Sequence, residues 1–221
     1  MRNPPPRKNA EPQYSILSAN ELATATHELA TRDARLGVIV QRLGVPPLWD
    51  RQPGFPTLVH VILEQQVSLA SARAAFRRLG ESIHPVNPQN FLTLDDATLK
   101  EIGFSRQKTL YCRLLAQALH DKQLSLRALE KMSDDNVRAT LTSLKGIGTW
   151  TADCYLLMAL LRPDIWPVGD LALVIAVQRA LSLEKRPAAI EMETLAEPWR
   201  PWRSVAARIL WHHYLNPLEK G

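Results

Sequence analysis

Leu144-Lys145-Gly146-Ile147-Gly148-Thr149-Trp150-Thr151-Ala152, followed by Trp166-Pro167-Val168-Gly169-Asp170, is the stretch on which the fold turns. Two glycines flank one apolar residue. Glycine tolerates positive φ and close backbone approach, so Gly146 and Gly148 predict a tight turn between two helices. Upstream, Ser133-Asp134-Asp135-Asn136 has the composition of a cap for a helix carrying Val137, Leu141 and Leu144 on one face. Downstream, Thr151 to Leu160 is a largely apolar helical run. The unit reads helix, glycine hairpin, helix. Backbone amides at the start of its second helix would suit a phosphate oxygen. Taken alone, Gly-x-Gly reads more simply as an ordinary helix–helix turn.

The 221 residues allow one domain or two small ones and are enough to bury a core. Apolar residues make up 46%, and Lys+Arg 27 against Asp+Glu 22 gives a net charge of +5. With a pI near 9.4, that balance suits a polyanionic partner without establishing one. Cys112 and Cys154 lie in apolar runs and read as small core residues, not as a disulfide or a metal site. No Cys-x-x-Cys pair exists, which excludes a cysteine-ligated iron–sulfur cluster. No apolar run reaches membrane-spanning length, and Met1-Arg2-Asn3-Pro4 begins no signal peptide, so a cytoplasmic protein is expected.

Around the hairpin the chain reads as helices throughout, about ten of them. Residues 1–12, with four prolines, read as a disordered tail. Ser18 caps a helix that continues through Arg35–Val40 toward Gly44, and Val45-Pro46-Pro47 breaks it before a loop from Trp49 to Gly54. Phe55-Pro56-Thr57 opens the next helix, whose apolar face holds Leu58, Val59, Ile62 and Leu63. Gln65-Gln66 follows at a junction. Ser68 caps a helix that Gly80 stops, and Ser105 caps a later one on which Arg106 and Lys108 read as solvated charges. Asp153 and Asp164 read as helix-surface and loop charges, and Trp199 and Trp202 as core. The fold expected is all-α, in two helical lobes with a cleft between them. Residues 13–54 plus 171–221 would form one lobe, and residues 55–170 a central domain with the hairpin at about 134–160.

In this order, Leu-x-Gly-Ile-Gly-x-Trp-Thr-Ala, an apolar helix and Pro-x-x-Asp resemble the helix-hairpin-helix DNA glycosylases with a Gly/Pro-rich loop and a catalytic Asp (HhH-GPD). Within them, the likeness is to the 3-methyladenine DNA glycosylase II (AlkA) type and spans roughly residues 55 to 215. The closing phrase Trp199-Arg200-Pro201-Trp202-Arg203-Ser204 resembles the same group. The resemblance implies that Asp170 is catalytic: a fixed carboxylate stabilises the oxocarbenium-like sugar as the base leaves. Locally Asp170 is also a good N-cap, and one carboxylate can do both. The resemblance further places Trp150, Cys154, Trp211 and His212 in the base pocket, with Cys154 where a relative has tyrosine. Ile62-Leu63-Glu64-Gln65-Gln66-Val67-Ser68 matches the phrase carrying the residue wedged into the duplex, here Gln66.

Phosphate contacts would come from Gly146, Gly148 and the amides of Thr149 and Thr151. The backbone carbonyls of Thr142, Leu144 and Ile147 would hold a monovalent cation. No redox or organic cofactor is implied. Bifunctional relatives carry a Schiff-base lysine where this chain has Trp150, so strand cleavage is not expected. The function implied is a monofunctional, monomeric DNA glycosylase of base excision repair. Its partner would be damaged double-stranded DNA, from which it excises 3-methyladenine or 7-methylguanine. A glycosylase for deaminated or oxidised purines and a non-catalytic damaged-DNA binder are the alternatives.

Overall fold

The computed structural model describes residues 15–216, and every regular element among them is helical. The expected tail over residues 1–12 lies outside the described residues. In chain order the helices are α1 (Ala19–Arg32), α2 (Ala34–Leu43), α3 (Phe55–Glu64), α4 (Leu69–Ser82), α5 (Pro88–Leu92), α6 (Asp96–Ile102) and α7 (Arg106–His120). They continue as α8 (Leu126–Leu129), α9 (Asp134–Thr142), α10 (Thr149–Met158), α11 (Leu171–Ala180), α12 (Ala189–Ala196) and α13 (Arg203–Leu215). Serine side chains at 18, 68, 105, 125 and 133 each accept a backbone N–H at a helix start, as their sequence positions predict.

Three boundaries differ from expectation. The first helix is two, because Asp33 adopts an extended backbone (φ −131°, ψ 107°) that closes α1 while its carboxylate accepts Arg35 N and starts α2. The same carboxylate takes two further bonds from the Arg35 guanidinium and one from the buried Trp199 indole at 2.9 Å. A buried acceptor with so many donors outweighs helix continuity. Asn87 caps the short α5, which carries little periodicity. Gly80 does not stop α4, which runs on to Ser82; a glycine inside a helix costs only about 1 kcal/mol.

Helices α1, α2, α11 and α13 pack on one another, whereas α4 and α7 pack on α3, and α5 and α6 on α7. Helix α10 lies against both α9 and α3 and is buried at every residue from Thr151 to Leu157. An enclosed helix needs an apolar sequence all round, which explains its lack of an amphipathic pattern. Its one charge, Asp153, is only 4% exposed and is paired with Arg138 Nε at 2.6 Å. The reading of Asp153 as a surface charge is therefore wrong: an aspartate on an enclosed helix is inside and must be paired. Arg208 on α13 is fully buried and donates to the carbonyls of Leu48, Ser204 and Leu157. Burial brings its pKa down to about 10.

Candidate active site

Asp170 stands where three helices meet. The turn Pro167-Val168-Gly169, closed by Asp170 N donating to Pro167 O, delivers it to the start of α11. Its Oδ1 accepts Leu173 N at 2.7 Å, so the residue caps that helix. The same oxygen accepts Trp211 Nε1 from α13 at 3.0 Å, and Oδ2 accepts Trp150 Nε1 from the first turn of α10 at 3.0 Å. All three partners are N–H donors, which matches the acceptor-only capacity of a carboxylate. The preceding loop is stapled to the core. Ile165 N donates to the buried Ser204 hydroxyl, and Trp166 Nε1 donates to Met192 O while its ring meets Trp199 edge-on. Asp164 stays on the loop, bridged to Arg200 and Arg203.

The hairpin uses its two glycines differently. Gly146 has φ 95°, and a Cβ there would meet the Tyr111 ring at 2.0 Å, so both backbone and packing demand glycine. Gly148 has φ −89° and ψ 178°, and a Cβ there would meet nothing within 4 Å. Nothing inside the chain requires its missing side chain. Gly148 and Thr149 are exposed at the start of α10, while Thr151 is 1% exposed, so the open donors lie at the first two positions. The Thr151 hydroxyl accepts Gln65 Nε2, which also donates to Gly146 O, both at 3.0 Å. Gln65 therefore ties the end of α3 to the hairpin, a role the sequence pair Gln65-Gln66 did not reveal.

Gln66 projects from this tether. It is exposed and sits in the left-handed region at φ 56°. Lys108 is not a solvated charge: its ammonium donates to Leu63 O at 2.6 Å, securing the last turn of α3 beneath Gln65-Gln66. Burial lowers its pKa. A long side chain at the start of α7 can reach the free carbonyls ending α3 only once both are packed together. A groove of about 620 Å³ runs between Gln66, Lys108, Tyr111 and the hairpin. Of the expected cation-binding carbonyls, Leu144 O accepts Ile147 N at 3.1 Å and keeps one lone pair. No hydrogen bond to Thr142 O or Ile147 O is found outside helices among the described residues.

Cys154 and His212 are the other two residues expected in the pocket. Cys154 is 2% exposed, and burial raises its thiol pKa, with Asp170 adding to the shift; Cys112 is likewise a buried free thiol. His212 is half-buried, and burial with Arg42 nearby lowers its pKa. Two groups that the sequence did not single out join them. Trp49 meets Trp211 at 6.4 Å and His212 at 6.3 Å, both edge to face. Arg51 holds the Glu64 carboxylate with two bonds, at 3.2 and 2.7 Å.

Three helices arranged around one capped aspartate, together with a glycine turn between α9 and α10, make an all-helical protein with a helix-hairpin-helix unit. Residues 59–201, more than half of the chain, match the family model described as HhH-GPD superfamily base excision DNA repair protein, and the chain belongs to that superfamily. It is 27% identical over 195 residues to an alkylbase DNA glycosidase-like protein of Schizosaccharomyces pombe, covering 85% of this chain and 91% of that one. It is 26% identical over 206 residues to a DNA-3-methyladenine glycosylase of Bacillus subtilis, covering 85% and 66% respectively. Among solved structures, a DNA-3-methyladenine glycosidase from Bacillus halodurans superposes with a TM-score of 0.73 at 26% identity, over 90% of this chain and 92% of that one. The 3-methyladenine DNA glycosylase of Schizosaccharomyces pombe in complex with abasic DNA shares the fold with a TM-score of 0.79 at 24% identity, over 85% and 95%.

Proposed function

We propose that the protein is a monofunctional DNA glycosylase that extrudes alkylated purines from duplex DNA and hydrolyses their glycosidic bond at Asp170. The observation that carries this reading is the position of Asp170: a part-buried carboxylate whose oxygens are aimed by Trp150 and Trp211. As the base leaves, the deoxyribose gains positive charge, and a carboxylate already fixed beside it stabilises that charge without reorganising. It can also orient the attacking water. Names carried by the relatives, alkylbase and 3-methyladenine glycosylases, support the substrate class. An alkylated purine is electron-poor and often cationic, which suits a pocket rich in indole faces.

Trp150 occupies the position that a Schiff-base lysine would need, and an indole cannot attack a sugar carbon. The product is therefore a free base and an intact abasic strand. Gly148 supports the docking mode: glycine there has no internal reason, and close approach of a phosphate supplies one. Gln66, held outward, would fill the gap left by the extruded nucleotide and offset part of the unstacking cost. The hairpin carbonyls of Thr142, Leu144 and Ile147 fit a monovalent cation, which when bound would add positive charge against a DNA phosphate. The enzyme would act as a monomer in the compartment that holds the chromosome. No helix among the described residues is long and apolar enough to cross a membrane.

The test is incubation of methylated duplex DNA with the protein, with released bases identified chromatographically and strands sized before and after alkali. Free 3-methyladenine and 7-methylguanine, with strands intact until alkali, are expected. Release of only hypoxanthine or oxidised purines would overturn the substrate class. Borohydride-trapped protein–DNA adducts would overturn the monofunctional assignment.

A further inference from the structure

We propose that Trp49, from the loop before α3, is the wall on which the extruded base stacks and a determinant of its selectivity for cationic purines. This rests on the glycosylase reading above. Of the six tryptophans, five commit their indole N–H to an acceptor within the protein: Trp150 and Trp211 to Asp170, Trp166 to Met192 O, Trp199 to Asp33 and Trp202 to Glu28. Among the described residues Trp49 has no such partner. It is half-buried, so one part of the indole packs while another remains available.

The indoles of Trp150 and Trp211 both donate their N–H to Asp170 and are held by it. Trp49 meets both Trp211 and His212 edge to face, at 69° and 84°. Through its edge contact with Trp211, Trp49 is one side chain removed from Asp170.

The backbone supports the same conclusion. Trp49 has φ 48°, a conformation disfavoured for a bulky L residue. It is held there from both sides. Leu48 O accepts Nε of the fully buried Arg208 at 2.8 Å, and Arg51 N donates to Met158 O at 2.9 Å while its guanidinium grips Glu64. These two clamps fix the loop backbone, and with it the angle at which the indole is presented. Strain held in this way belongs where a side chain must be presented at a set angle. An electron-rich face so presented favours a cationic purine through stacking and cation–π attraction.

The experiment compares wild type, Trp49→Phe and Trp49→Leu in single-turnover release of 7-methylguanine and of neutral hypoxanthine, alongside affinity for an abasic duplex. Trp49→Leu should lose about 10- to 100-fold in 7-methylguanine release, and Trp49→Phe severalfold, with a lowered cationic-to-neutral ratio in both. Abasic-duplex affinity should stay within about twofold, because no base is present to stack. Unchanged release and ratio in either variant, or an equal loss of abasic-duplex affinity, would overturn the proposal. A wild type that releases no methylated purine would instead fail the glycosylase reading, and the stacking role with it.

Discussion

Trp150 and Asp170, twenty residues apart, meet through one hydrogen bond: the indole Nε1 donates to Oδ2 at 3.0 Å. Trp211 does the same to Oδ1 from another helix. Two aromatic residues that the sequence resemblance implies for the base pocket therefore also hydrogen-bond the carboxylate. Trp150→Phe keeps the ring and removes only the donor. The release rate should fall roughly 10- to 100-fold, the worth of one hydrogen bond to a charged acceptor, with abasic-duplex affinity nearly unchanged. Single-turnover kinetics decide this. A wild-type rate in Trp150→Phe would mean that the bond does not aim the carboxylate.

The two hairpin glycines should fail differently. Gly146→Ala forces a Cβ into the Tyr111 ring on a backbone at φ 95°, and should cost about 2 kcal/mol or more and several degrees of Tm. Gly148→Ala meets nothing inside the protein and should melt like wild type, yet lose about tenfold in duplex affinity. Thermal melts paired with duplex titrations separate the two. Equal melting temperatures for both variants would contradict the assignment.

Gln65 and Gln66 are neighbours with opposite tasks. Gln65→Ala removes two bonds to the hairpin and leaves Gly146 O short of a donor, for a loss of about 1–2 kcal/mol in urea unfolding. Gln66→Ala should leave stability within about 0.5 kcal/mol and slow base release about tenfold, with non-specific duplex binding kept. A wild-type single-turnover rate in Gln66→Ala would remove it from the extrusion step.

Asp33 gives the fold an acid-sensitive joint. Bonds from Arg35, then from Trp199, hold its pKa at about 2, below the ordinary 3.8. Since the folded value is depressed, the stabilisation is fully present above about pH 4 and is lost as the pH falls toward 2. Its size is on the order of 2 kcal/mol. The stability gap between wild type and Asp33→Asn should therefore be widest near neutrality and should narrow below about pH 4, closing only near pH 2, in denaturant titrations. A gap independent of pH would show that the carboxylate's charge is not what holds the joint.

Much of this was legible in the sequence because it is local. A serine three residues ahead of a backbone donor, Gly146 at positive φ, and Asp170 before an apolar helix all declare themselves within a few positions. What stayed hidden depends on partners far along the chain. Lys108 looked solvated because the carbonyl it reaches, Leu63 O, is 45 residues away. Asp153 looked exposed because only the packing of α9 and α3 around α10 encloses it. Asp33 ends a helix because Trp199, 166 residues on, needs an acceptor. Trp49 gave no periodic or motif signal, since its place is set by the loop clamp through Arg208 and Arg51.

The central claim is that Asp170 carries the reaction. Asn at 170 keeps the size but sets an amide N–H2 or a neutral oxygen where the indoles now meet a carboxylate. The direct measurement is single-turnover release of 7-methylguanine from duplex DNA by wild type and Asp170→Asn, with abasic-duplex affinity measured on the same preparations. A fall of at least about 100-fold in the variant, with affinity retained, is predicted. Release by folded, DNA-binding Asp170→Asn at the wild-type rate would contradict the account.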